Sequence, residues 1–197
     1  MAVEAPREHE LIMAGHGGQG IISAADLIGS AANALGLNAL CRMVYGAEMR
    51  GGIVECTVIV SPEEITSPYS ESPEALLAMN EEAWDSYLAL VRPGGIAIAN
   101  ASLIKNAESA RKDIVIVTVP CVAIAEQLGS IRVSTSVGVG ALVGATGIVS
   151  LEAVEAAFAD VLPERHHKLI PLNAAAVRAG AERARTALAG HLLPSLA

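Results

Sequence analysis

Leu11-Ile12-Met13-Ala14-Gly15-His16-Gly17-Gly18-Gln19-Gly20-Ile21-Ile22 is an apolar run that breaks into glycines and resumes as a new apolar segment. The run up to Ala14 predicts a buried parallel strand. From Ile21 to Leu35, Ile22, Ala25, Ile28, Ala32 and Leu35 recur at the spacing of one helix face, and Gly36 is placed to end that helix. Gly15, His16, Gly17, Gly18, Gln19 and Gly20 therefore satisfy G-x-G-x-x-G between a strand and a helix, the context the motif needs. Glycine permits positive φ and close approach of a ligand to the backbone. The N–H groups and the positive end of the helix then attract an anion.

Three readings of this loop stay open: a dinucleotide, another phosphate-bearing ligand or a neighbouring subunit, and glycines that merely allow close helix–strand packing. The dinucleotide fingerprint expects an acid at the end of the second strand to hold a ribose. Leu40-Cys41-Arg42-Met43-Val44 supplies none, and Arg42 is the single residue there suited to a 2′-phosphate.

Outward from the loop, strand-like and helix-like segments alternate. Ala39 to Val44 and Ile53 to Val60 predict strands, and Ser61 to Pro73 a connector with three prolines. Ala75 to Met79 fits a strand or a helix start. Asn80 is a good N-cap for a helix to Val91 that buries Ala83, Trp84, Tyr87, Leu88 and Val91. Ile96 to Ala99 and Ile114 to Val119 predict buried strands, the second stopped by Pro120. Helices follow over Val122–Leu128, Ser134–Thr146, Leu151–Leu162 and Leu172–Leu188, and His191 to Ala197 reads as a tail. The alternation predicts one α/β domain over residues 1–197: a mostly parallel sheet with helices on both faces, Rossmann-like and three-layered.

Bulk composition narrows the function. Of 197 residues, 52% are hydrophobic and only 17% charged, against about 25% charged in a usual soluble domain. A surface this poor in charge suggests a face covered by a partner. A net charge of −8 and 3% aromatic residues argue against a nucleic-acid partner. The three cysteines, Cys41, Cys56 and Cys121, are odd in number and not spaced as a metal or cluster motif, so they read as small core residues. Val137 to Val149 is interrupted by four glycines and is too short to span a bilayer. The start, with Glu4, Arg7, Glu8 and Glu10, lacks a secretory pattern. A cytoplasmic protein without its own metal is expected. His16 is expected to make polar contacts rather than catalyse, and His166-His167 to be solvated.

A second loop concentrates polar chemistry. Tyr45-Gly46-Ala47-Glu48-Met49-Arg50-Gly51-Gly52 joins two buried strands and combines glycines with an acid, a guanidinium and a phenol. Arg50 between glycines suits a bidentate grip on carboxylate or phosphate. A surface Arg50–Glu48 pair of little energetic weight is the plain alternative.

With both loops in view, the chain resembles the gamma subunit, or gamma domain, of 2-oxoacid:acceptor (ferredoxin) oxidoreductases. The two loops are similar to that family's signatures, and the Tyr45–Gly52 block is the more specific. Pro93-Gly94-Gly95, Pro120 with Ala125-Glu126-Gln127-Leu128-Gly129, Gly140-Ala141-Leu142, and Leu172-Asn173 with Arg178-Ala179-Gly180 are similar to its later blocks. The resemblance spans about residues 9 to 185. One departure is Thr135, where many relatives have asparagine. The resemblance implies a complex that oxidatively decarboxylates a 2-oxoacid to an acyl-CoA and passes electrons to ferredoxin or another acceptor. It implies alpha- and beta-type catalytic subunits with thiamine diphosphate and magnesium, and a ferredoxin-like delta subunit or domain with iron–sulfur clusters. This chain would be inactive alone, bind no cofactor by itself, and use Gly15–Gly20 and Tyr45–Gly52 to touch partners or CoA. A stand-alone NAD(P)- or FAD-binding domain and a nucleotide-sensing module are the rival functions.

Overall fold

The computed structural model describes residues 8–45, 52–69, 72–107 and 111–191. The chain enters as β1 (His9–His16), passes through the glycine turn into α1 (Ile21–Ala34), returns as β2 (Asn38–Tyr45) and doubles back as β3 (Ile53–Ser61). It continues as β4 (Ala75–Ala78), α2 (Glu81–Tyr87), β5 (Ile96–Asn100) and β6 (Val115–Val119). Four helices close it: α3 (Cys121–Gln127), α4 (Ser134–Thr146), α5 (Leu151–Val161) and α6 (Ile170–His191). Expected and observed boundaries of the strands and of most helices agree closely.

The six strands form one sheet in the order β2-β3-β1-β4-β5-β6. β1, β4, β5 and β6 pair in parallel, whereas β3 is antiparallel to both β1 and β2. β3 thus runs against the other five strands, and the sheet is mostly parallel as expected. The expectation that the second loop joins two buried strands needs correction. β2 is an edge strand, half-buried, with Met43 and Val44 exposed. Its neighbour on the inner side is β3, and among the described residues no strand covers its outer side.

Alternation along the strands sorts the core into two layers. Leu11 and Met13, Cys56 and Val58, Leu77, Ile98 and Val117 face α1, α3, α4, α5 and α6. Ile12, Ala14, Leu76, Ala78 and Ala97 face Trp84 and Leu88 on the α2 side, with Ile104 and Ile114. The three layers are therefore uneven. Ala75–Ala78, ambiguous in sequence, is a strand because it pairs with β1 and β5 and is buried on both faces. The helix expected to reach Val91 tightens into a 3-10 turn over Leu88–Leu90. There the Arg111 guanidinium donates to the carbonyls of Leu88, Ala89 and Val91, at 3.2, 3.3 and 2.7 Å, in place of helical N–H groups.

α4 is buried around most of its circumference and lies against α6. A Cβ added at Gly140 would stand 1.9 Å from Val177 O, and one at Gly180 would stand 1.9 Å from Val137 O. The two helices therefore meet backbone to backbone, which fixes where the start of α4 sits relative to the glycine loop.

Candidate functional site

The candidate site lies at the carboxyl ends of the parallel strands. Antiparallel register sets Gly15 opposite Val54 and His16 opposite Ile53, while Tyr45 also lies opposite Val54 across β2–β3. The glycine loop and the two ends of the second loop therefore meet at one end of the sheet. The Gly17 N–H donates to Gly52 O at 3.2 Å. Of the residues expected from sequence, Gly15 to Gly20 and Gly52 are brought together. The Tyr45 backbone stands beyond β3 from the glycine loop. Gly46, Glu48, Met49, Arg50 and Gly51 lie outside the described residues.

Three of the loop glycines answer two different constraints. A Cβ at Gly15 would fall 2.6 Å from Gln19 Oε1 and 2.9 Å from Ile21 Cδ1. Gly18 and Gly20 take left-handed φ of 92° and 82°, which glycine adopts without a Cβ penalty. Gly20 is the N-cap of α1, and among the described residues no side chain caps that helix. Its first-turn donors are thus left for solvent, a ligand or a partner.

Polar side chains pin the loop from three sides. Gln19 Oε1 accepts from the His16 N–H at 2.6 Å and from Asn80 Nδ2 at 3.1 Å. The Thr135 hydroxyl, at the start of α4, donates to Gln19 O. Thr135 thus makes a polar contact of its own to the loop. Asn80 Oδ1 accepts from Ala83 N at 2.8 Å, the expected N-cap of α2. Asn100, fully buried at the end of β5, donates to Met79 O at 3.1 Å and accepts from Cys121 N and Ser102 N, both at 3.2 Å. A hydrogen-bonded row therefore runs along the carboxyl edge from α3 to the glycine loop. His16 Nε2 meets Glu82 Oε2 at 2.9 Å on the exposed rim, a polar contact of the kind expected of it.

A cleft of about 200 Å³ opens beside the loop, between the starts of α1 and α4 and the end of α5. Gln19, Gly20, Leu27, Arg132, Phe158 and Asn173 are among its lining residues. The floor is apolar, and Arg132 adds a cation at the exposed rim. Sequence reading passed over Arg132, Glu82 and the bridging role of Asn80. Ser130-Ile131-Arg132-Val133, an Ser-capped turn before a glycine-rich helix, was the available signal for Arg132.

The topology weakens the dinucleotide reading further. In that fingerprint the ribose-holding acid ends a strand next to β1. Here β3 lies between β1 and β2, so the end of β2 is two strand spacings away, roughly 10 Å. Arg42 is also committed elsewhere. Its Nη2 lies 3.4 Å from Thr57 Oγ1 and 3.6 Å from Glu55 Oε1, and its guanidinium stands 5.4 Å over the Tyr69 ring. Burial, then the Glu55 charge, raises the nearby Tyr87 phenol above its usual range, against the opposing pull of Arg42. Cys56 and Cys121 are buried free thiols and Cys41 a half-buried one: burial pushes Cys41 up to about 11 and Cys56 and Cys121 up to about 12. Among the described residues, no group of three His, Cys, Asp or Glu stands together to hold a metal. Among them, too, no helix is long and apolar enough to cross a membrane.

Residues 10–183 match the family model described as pyruvate ferredoxin/flavodoxin oxidoreductase. The chain is 36% identical over 160 residues to the 2-oxoglutarate synthase subunit KorC of Methanothermobacter thermautotrophicus, covering 78% of this chain and 85% of that one. It is 32% identical over 189 residues to the ketoisovalerate oxidoreductase subunit VorA of Methanothermobacter marburgensis, covering 94% of this chain but 38% of that longer one. Among solved structures, the gamma subunit of a keto/oxoacid ferredoxin oxidoreductase from Geobacter sulfurreducens is similar, with a TM-score of 0.78 and 31% identity. That match covers 90% of this chain and 99% of the other.

Proposed function

The chain belongs to the pyruvate ferredoxin/flavodoxin oxidoreductase family, and on that premise we propose that it is the gamma-type subunit of a 2-oxoacid:acceptor oxidoreductase complex. The complex oxidatively decarboxylates a 2-oxoacid to an acyl-CoA and passes the electrons to ferredoxin or another acceptor. This chain closes the active-site region and helps hold CoA, and it is inactive alone. Its partners are alpha- and beta-type catalytic subunits and a ferredoxin-like delta subunit or domain. Thiamine diphosphate with magnesium, held by those partners, supplies the decarboxylation chemistry, and their iron–sulfur clusters carry the electrons.

The observation that carries this reading is the junction of the two loops through Gly17 N–H and Gly52 O at the uncapped start of α1. CoA is rich in phosphate, and an uncapped helix start attracts phosphate. Arg132 at the rim of the neighbouring cleft adds a cation. The cleft holds a segment of CoA rather than the whole molecule, because whole-ligand sites occupy about 300 Å³ or more. The side chains of this subunit thus bind and orient the acyl acceptor and exclude water, and the bond-breaking steps belong to the partners.

The test uses the reconstituted complex. Gly18→Val forces a β-branched residue into a left-handed backbone, and Arg50→Ala removes the guanidinium of the second loop. Each is expected to raise the KM for CoA by about tenfold, the loss of about one charge-assisted contact. Unchanged CoA KM and unchanged turnover in both variants refute the CoA role. A second reading has its own support: Val44 and Ile131 are exposed apolar residues, one near the end of β2 and one beside Arg132. Under it the loops pack on partner chains, and the same variants weaken assembly on a native gel while CoA KM in the residual complex stays constant.

A further inference from the structure

We propose that Gln19 is the positioning residue of the glycine loop, and that its working atom is the side-chain oxygen. Two donors converge on that atom, the His16 N–H at 2.6 Å and Asn80 Nδ2 at 3.1 Å. Neither assignment is reversible. A backbone N–H only donates, and Asn80 must present its nitrogen to Gln19 because its oxygen already accepts from Ala83 N at 2.8 Å. The main chain of Gln19 is held as well, by the Thr135 hydroxyl on its carbonyl and by its own N–H to His16 O at 3.1 Å. Gly15 makes room for that oxygen: a Cβ there would stand 2.6 Å from it. One residue therefore ties β1, α2 and α4 to the turn that opens α1, with Gly18 and Gly20 as the soft joints on either side.

The chemistry makes an unusual substitution order. Glutamate keeps an oxygen that accepts both N–H groups, and its charge sits favourably by the start of α1. Methionine matches glutamine in length but accepts neither bond well. Gln19→Glu should therefore keep the loop in place and Gln19→Met should release it, the reverse of a ranking by charge.

This inference rests on the CoA reading only for its kinetic consequence, so the test has two arms in the reconstituted complex. The first is amide exchange at His16 read by mass spectrometry or NMR. Exchange is expected to speed about tenfold or more in Gln19→Met and to stay within about threefold of the parent in Gln19→Glu. Equal protection in Gln19→Met and the parent, or equal loss in both variants, overturns the assignment. Should Gln19→Met fail to fold, Asn80→Asp serves instead. It keeps the α2 cap and turns a donor into an oxygen that repels Gln19 Oε1, so faster His16 exchange supports the proposal and unchanged exchange overturns it. The second arm is the KM for CoA. A loop in its holding conformation a tenth of the time raises apparent KM about tenfold while kcat stays within about twofold. If the exchange pattern appears while CoA KM does not move, Gln19 keeps its positioning role and the CoA reading falls.

Discussion

Gly140→Ala tests how the packing of two helices reaches the loop. The added methyl carbon would stand 1.9 Å from Val177 O, whereas a carbon–oxygen contact relaxes near about 3.3 Å. α4 and α6 must therefore part by roughly 1.4 Å, and no rotamer change can relieve a clash with backbone. Overpacking of this kind costs about 1–3 kcal/mol, and a rigid backbone obstacle belongs at the upper end. Alanine regains about 1 kcal/mol of helix propensity, which leaves a net loss of about 2 kcal/mol. For a domain of this size that lowers the Tm by about 4–8 °C. Gly29→Ala in α1 is the control. Its methyl would meet Cys41 Sγ at 3.3 Å and Ala39 Cβ at 3.8 Å, so propensity offsets a slight squeeze and the Tm should hold or rise. Thermal unfolding by circular dichroism reads both variants. A Tm for Gly140→Ala at or above that of the parent refutes the backbone contact and, with it, the account of how Thr135 is brought to Gln19.

Four further outcomes follow from the same geometry. Asn100→Ala strips acceptors and a donor from Met79 O, Cys121 N and Ser102 N in a fully buried setting. It should cost about 2–4 kcal/mol in urea unfolding, and a loss under about 1 kcal/mol would show that the row along the sheet edge contributes little. The thiols of Cys41, Cys56 and Cys121 lie above their ordinary value of 9.0 in the folded chain, at about 11, about 12 and about 12. The unfolded chain therefore loses these protons first. Their contribution to stability is full below pH 9 and is lost as pH rises from 9 through the folded values, so the urea midpoint should fall above pH 9. At pH 8 the native Cys56 and Cys121 thiols should resist a disulfide reagent that labels all three cysteines after denaturation, and labelling of either at the free-thiol rate would contradict their burial. His16→Ala removes an exposed contact to Glu82 and should change stability by less than about 1 kcal/mol, measured in the same urea series.

Much of the fold was legible because local signals agreed with one another. The switch from strand to helix at Gly15–Gly20, the Asn80 cap and the glycine at 36 all mark real boundaries. Ala75–Ala78 was not legible, since four small or aliphatic residues carry no period. Only pairing on both sides makes it a strand. The direction of β3 was hidden for a similar reason: a β-branched run buries equally well parallel or antiparallel.

For the site, the chain by itself marks both glycine-rich loops and the family they resemble, because glycine spacing and a helix start are local properties. It cannot show that the loops meet, since Gly17 and Gly52 become neighbours only through the antiparallel pairing of β3 with β1. Nor could it reveal that Gln19 is held by Asn80 and Thr135, residues 61 and 116 positions away. Hydrogen bonds between distant side chains leave no period and no spacing in the sequence. They arise once the sheet sets the ends of β1 and β4 side by side and the glycine contact of α4 with α6 fixes the height at which Thr135 arrives.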